Sequence, residues 1–214
     1  MQSGPVNPRR YDNSSRAEQA RRTGRRVLDV AHRLLLERGY AGTAIADVAA
    51  GAGVSVETIY KRFGGKGALI KAVYDVRLAG DDDPVPIGQR PEALALVAEP
   101  DPRRKLGLYA ALSRQLAERA GPLVAVLIQA RGAEPDLDRF ASTVEAERLA
   151  GATALVTHLS ECGGLRAGLS VESARDILWT LISPEVYQLL VARRGWSPED
   201  YQEWLGDAMA HALL

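Results

Sequence analysis

Residues 39–70 read GYAGTAIADVAAGAGVSVETIYKRFGGKGALI, a run that its glycines divide into short segments. Ile45, Val48 and Ala49 share one face at helical spacing, and Thr43 is placed to cap that helix. Gly51-Ala52-Gly53 ends it, because glycine enters the left-handed conformation without a steric penalty. Ser55 is placed to cap a following helix whose apolar positions are Val56, Ile59, Tyr60 and Phe63. Gly64-Gly65 breaks that helix, and Lys66 begins another through Leu69, Ile70, Val73 and Tyr74. Helix, tight turn, helix is the helix-turn-helix arrangement, whose second helix projects into a DNA major groove. Thr58, Tyr60, Lys61 and Lys66 supply hydroxyl and ammonium groups suited to phosphate oxygens.

Outward from this run the spacing stays helical. Val27, Val30, Ala31, Leu34 and Leu35 recur at intervals of three and four from a helix starting near Arg16, with Gly39 as its C-cap. Residues 1–15, MQSGPVNPRRYDNSS, are polar and aperiodic and are expected to form a disordered arm. Residues 80–91, GDDDPVPIGQRP, are expected to form a loop and a natural boundary. Beyond them, Leu106, Tyr109, Ala110, Ser113, Leu116 and Ala117 line one stripe, and Leu123 to Ala130 reads as a separate short buried helix. A long helix is predicted from Pro135 to Cys162 and another from 171 to 194, broken after Ser183 by Pro184. Ser197-Pro198-Glu199-Asp200 opens the last helix, to about 213. No stretch has the two-residue alternation of strands. The fold class is all-α: residues 16–75 form a three-helix DNA-binding domain, and 76–214 a larger helical domain.

The 27 basic and 27 acidic side chains cancel over 214 residues, but unevenly. Residues 1–75 carry 13 basic and 7 acidic groups, a net of +6, and the remainder carries −6. Such asymmetry hints at a nucleic-acid-binding part joined to something else, although chance clustering gives the same sum. Apolar residues at 46% and charged residues at 25% exclude a disordered chain, and no run approaches the ~20 apolar residues of a membrane span. The N-terminus lacks the apolar centre of a signal peptide, so a cytoplasmic protein with no membrane partner is expected. Cys162 stands alone, and His32, His158 and His211 do not cluster. No metal site, cofactor or catalytic residue is assigned.

The run Arg38-Gly39-Tyr40, Asp47-Val48-Ala49, Ala52-Gly53-Val54-Ser55, Thr58-Ile59-Tyr60, Phe63, Lys66 and Ala68-Leu69 resembles the DNA-binding domain of the tetracycline-repressor (TetR) family over about residues 22–75. Leu178-Trp179, Ser183-Pro184-Glu185, Gly195-Trp196-Ser197, Tyr201 and Trp204-Leu205 resemble the ligand-binding domain of many members. Ala44 departs from the pattern, standing where a second hydroxyl residue is common. The resemblance implies a homodimeric transcriptional regulator, a repressor released from a palindromic operator by a small-molecule effector. By position, Val56, Glu57 and Tyr60 face base edges, and Thr43, Ser55, Thr58, Tyr60, Lys61 and Lys66 serve DNA binding, mostly at phosphates. It also implies a dimer interface of the last two helices, through Leu178, Ile182, Leu189, Tyr201, Trp204, Leu205 and Ala208.

Each candidate has a second reading. Tyr60 is a core aromatic or a DNA contact, Glu57 a solvated acid or an acceptor for a cytosine amino group, and Val56 a turn residue or a thymine-methyl contact. Arg21, Arg22 and Arg25, with Arg9, Arg10 and Arg16 before them, form a DNA-reaching arm or a solubilising tail. Tyr109, Gln129, His158 and Trp179 are pocket-lining groups or satisfied core residues. The competing function is a helical small-molecule carrier or enzyme that does not bind DNA.

Overall fold

The computed structural model describes residues 8–130, 132 and 134–214, with side chains from Ser15 onward except that of Gln129. Among the described residues ten α-helices follow one another: α1 Pro8–Arg38, α2 Ile45–Ala52, α3 Val56–Phe63, α4 Lys66–Ala79, α5 Pro91–Ala98, α6 Pro102–Gln129, α7 Pro135–Glu161, α8 Val171–Leu181, α9 Pro184–Tyr187 and α10 Pro198–Leu213. A 3-10 turn, Ile87–Gln89, precedes α5, and a π-helical segment, Gln188–Arg193, follows α9. No strand occurs among the described residues. The chain divides into two compact units, Met1–Val73 and Tyr74–Leu214.

In the first unit α1 presents Val27, Ala31, Leu34 and Leu35 to a core completed by Val48, Ala49 and Ala52 of α2, Ile59 of α3, and Leu69, Ile70 and Val73 of α4. α2 crosses α1 at Gly51, where a Cβ would lie 2.8 Å from Val30 Cγ1, so the absence of a side chain sets the approach. Gly53 then takes φ +61° and its N–H caps the end of α2, turning the chain into α3. Ser55 Oγ accepts the Thr58 N–H at 3.2 Å at the start of α3, as its position predicts.

Three expectations about this unit need correction. α1 starts at Pro8, so residues 8–15 are helical and not a disordered arm; residues 1–7 lie outside the described residues. A proline fits the first turn, where its missing N–H is not needed, and polar residues can extend a helix already nucleated on a buried face. Ala44, not Thr43, occupies the N-cap of α2, and no side chain caps it. The division between units falls inside α4, two residues before the expected 75/76 division and not in segment 80–91. Val73 is buried in the first unit's core, whereas the Tyr74 ring meets Phe140 of the second unit edge-on at 5.3 Å.

In the second unit α10 packs on α6 and α8, and α7 on α8, around Leu106, Ala110, Leu155, Leu159, Leu178, Tyr201, Leu205 and Met209. α6 is a single helix through Pro122, and not two. The residue before it is Gly121, which has no Cβ to collide with the proline ring, and buried Ala120, Leu123 and Val124 hold both sides on the core. Segment 80–91 is closed by a two-pronged pair in which Arg90 Nη1 and Nη2 donate to Asp81 at 2.7 and 2.8 Å. Lys105, itself buried, donates Nζ to the carbonyls of Leu96 and Val97 at 2.9 and 3.2 Å, satisfying the end of α5. The helix breaks at Pro184 as the sequence predicts, and Ser183, with no such role expected, caps α9.

Candidate nucleic-acid interface and ligand cavity

α3 buries one side only. Ile59 is fully buried, whereas Ser55, Val56, Glu57, Thr58, Tyr60, Lys61 and Arg62 are exposed, with Tyr60 at 53%. A helix anchored by one residue and bearing hydroxyl, ammonium and guanidinium groups outward suits contact with a polyanion. The exposure of Tyr60 removes the core-aromatic reading. Ser55 spends its hydroxyl locally, on the Thr58 N–H and on Thr58 Oγ1 at 2.9 Å, so it sets the start of α3.

Two candidates have other work. Thr43 is 4% exposed and donates its hydroxyl to the Gly39 carbonyl at 2.8 Å, which leaves no proton to offer a phosphate. Lys66 Nζ donates to the Tyr40 carbonyl at 2.7 Å and sits 3.8 Å from the centre of the Tyr40 ring. It therefore clamps the turn between α1 and α2, although the ammonium has further protons and the residue is only partly buried. Arg16, Arg21, Arg22 and Arg25 are exposed on α1, with Arg22 ion-paired to Glu18; the side chains of Arg9 and Arg10 lie outside the described residues.

Sequence reading missed Arg62. Its Nη1 donates to the Ala20 carbonyl at 3.0 Å, tying α3 to the first half of α1. Gly24 makes room, since a Cβ there would lie 2.2 Å from Arg62 Nη2. A glycine inside an otherwise helical RRTGRR was the available signal.

The second unit holds a cavity of about 980 Å3, at the upper end of the range for small-molecule pockets. Aliphatic side chains dominate its wall, among them Leu78, Leu96, Leu112, Leu116, Val124 and Leu155. Tyr109 and His158 line it as the sequence reading allows, and burial pushes the Tyr109 hydroxyl up to about 12. Trp179 does not line it but lies behind Arg148, and the Gln129 side chain is outside the described residues. Among the described residues no group of three or more His, Cys, Asp or Glu side chains is placed to hold a metal, and no helix is long and apolar enough to cross a membrane.

Residues 27–73 match the family model of bacterial regulatory proteins, tetR family. Over this stretch the first unit matches the helix-turn-helix domain of that family. No curated protein matches it by sequence. Solved structures extend the likeness of fold over both units. NalD of Pseudomonas aeruginosa, described as the secondary repressor of the MexAB-OprM multidrug efflux pump, is 22% identical, with 92% of this chain and 98% of NalD covered at a TM-score of 0.70. FadR of Bacillus subtilis, solved with stearoyl-CoA, is 18% identical, covering 86% of this chain and 96% of FadR at 0.68. A Rhodococcus sp. protein assigned to the same family is 16% identical, covering 92% and 100% at 0.70.

The chain thus combines a helix-turn-helix domain that matches the tetR-family model with a C-terminal helical domain. Three residues expected at a dimer interface are instead core. Leu178, Tyr201 and Leu205 are essentially inaccessible within the subunit, where Tyr201 meets the Tyr187 ring edge-on at 4.9 Å. Ile182 lines the cavity, Trp204 and Ala208 are partly exposed, and Leu189 is 49% exposed. Helical periodicity alone does not distinguish a side chain facing the subunit's own core from one facing a second copy.

Proposed function

We propose that the chain acts in the cytoplasm as a homodimeric repressor that binds a palindromic operator and leaves it when a small molecule occupies the cavity of the second unit. The observation that carries this reading is the outward face of α3, on which Val56, Glu57, Thr58, Tyr60 and Lys61 are exposed while Ile59 alone is fully buried. Tyr60 and Lys61 meet phosphates, Val56 and Glu57 border the bases, and the α1 arginines Arg21, Arg22 and Arg25 add a sequence-independent pull. Half-sites one helical turn apart, about 34–36 Å or a multiple, match a two-fold dimer. The interface proposed here uses Leu189, Trp204 and Ala208, which stay accessible in the subunit. The effector favours the conformation with lower operator affinity, which is coupling between two sites through two states. The function requires no catalytic group.

The test is a gel-shift titration against duplexes selected from random sequence. Tyr60→Ala is expected to lower affinity about tenfold to a hundredfold, since a hydrogen bond to a charged group is worth roughly 1.5–3 kcal/mol. Lys61→Ala is expected to reduce the salt slope by about one. Both side chains are exposed, so the melting temperature is expected to stay unchanged. Unaltered binding by both variants would remove α3 as the reading helix. Absence of salt-dependent DNA binding would favour the carrier or enzyme instead.

A further inference from the structure

The cavity wall contains a half-buried charge that has no ion-pair partner among the described residues. Arg148 of α7 lines the cavity, and its guanidinium carbon stands 5.0 Å from the centre of the Trp179 ring. Its Nη2 donates to the Trp179 carbonyl at 2.7 Å, while Nε is sealed from solvent and has no acceptor. Among the described residues no carboxylate reaches ion-pair distance; Glu185 and Glu145 act on it only through space. Burial makes the charged form more costly, which lowers its pKa from the ordinary arginine value. Arginines withdrawn from water are ordinarily paired, because an unpaired charge there is expensive.

The surroundings supply a second donor. Gly151 lies one turn further along α7, also on the cavity wall, and the Tyr109 hydroxyl is 3.7 Å from where its Cβ would stand. That hydroxyl keeps its proton at any physiological pH. Five carboxylates also border the cavity: Asp75, Asp83 and Glu147 are solvent-exposed, Asp82 is half-buried, all four have partners, and Asp81 is held by Arg90. Acids that already have partners and are mostly hydrated weigh less on a ligand than a half-buried guanidinium whose Nε lacks an acceptor.

Resting on the effector reading above, we propose that the cavity takes an anionic amphiphile with an aliphatic body and a carboxylate head, which Arg148 binds and Tyr109 orients. The guanidinium fork matches a carboxylate in geometry, and the aliphatic wall accommodates the chain.

The test uses the full chain and three probes with the same ten-carbon body, each below its micelle concentration: decanoate, decanol and decyltrimethylammonium. Calorimetric titration is expected to show decanoate binding about tenfold or more tighter than decanol, with the ammonium weakest. Arg148→Met is expected to bind decanoate and decanol alike, and Arg148→Lys to keep part of the preference; the Lys variant guards against a Met variant that folds poorly. Equal binding of decanoate and decanol by the wild type, a preference for the ammonium, no decanoate binding, or a preference that survives in Arg148→Met would each overturn the proposal. The same probes added to the protein–DNA complex separate this idea from the one beneath it. Arg148-dependent decanoate binding that leaves the DNA complex intact sinks the effector reading alone. Release by decanol as effective as release by decanoate sinks the anion site alone.

Discussion

Thr43 illustrates how a side chain suited to phosphate is put to internal use. Its hydroxyl proton goes to the Gly39 carbonyl at 2.8 Å beneath the α1–α2 turn, and Lys66 holds the Tyr40 carbonyl of the same turn. Thr43→Val keeps the shape and removes the donor, so it is expected to cost about 1 kcal/mol of stability while changing operator affinity less than twofold. Urea unfolding and gel shifts on the same variant check this; a large affinity loss at unchanged stability would return Thr43 to the DNA surface. Residue types in the 39–70 run announced a polyanion-binding surface, and Val56, Glu57, Thr58, Tyr60 and Lys61 do face solvent. Which hydroxyl or ammonium is free to act was not legible, because that depends on a carbonyl several residues away. Arg148 was equally silent, since a lone arginine among helical residues looks like any solvated one until its cavity is seen.

At the level of elements, capping chemistry was the most readable feature. Ser55 and Ser197 each accept an N–H at the start of a helix, and Gly53 ends α2 at positive φ. These signals are local, so sequence carries them whole. The stretches 106–117 and 123–130, read apart in the sequence, form one helix through Pro122, because the packing of α6 on both sides overrides a local break. The π-helical segment Gln188–Arg193 had no signal either; it follows α9 with Leu189 turned outward. If this element helps to pair two subunits, Leu189→Glu is expected to shift the protein toward monomer in sedimentation equilibrium without lowering its melting temperature. A dimer that persists with unchanged affinity would place the interface elsewhere.

The whole molecule joins a basic N-terminal stretch to an acidic remainder, and its zero net charge is their cancellation. Its second core is rich in buried phenols. Burial pushes Tyr109 and Tyr201 each up to about 12, and Tyr74 higher still. A tyrosine whose folded pKa lies above its unfolded value of about 10 contributes stability that is fully present below pH 10 and is lost as pH rises through the folded value. Stability is therefore expected to be flat through pH 9 and to fall between about pH 10 and 12, by up to about 1.4 kcal/mol per pH unit for each such tyrosine. Urea midpoints at pH 9 and 11 measure this, and Tyr201→Phe is expected to make the fall shallower. An equal slope in wild type and variant would show that Tyr201 titrates alike in both states. The sequence by itself determined the all-α class, the helix-turn-helix and most helix starts, because periodicity, glycine turns and caps act over one to four residues. Only the tertiary structure decided that Leu178, Tyr201 and Leu205 face inward, that Thr43 is spent, and that Arg148 stands unpaired in a cavity. Burial and pairing are set by residues distant in the chain, and no local pattern encodes them.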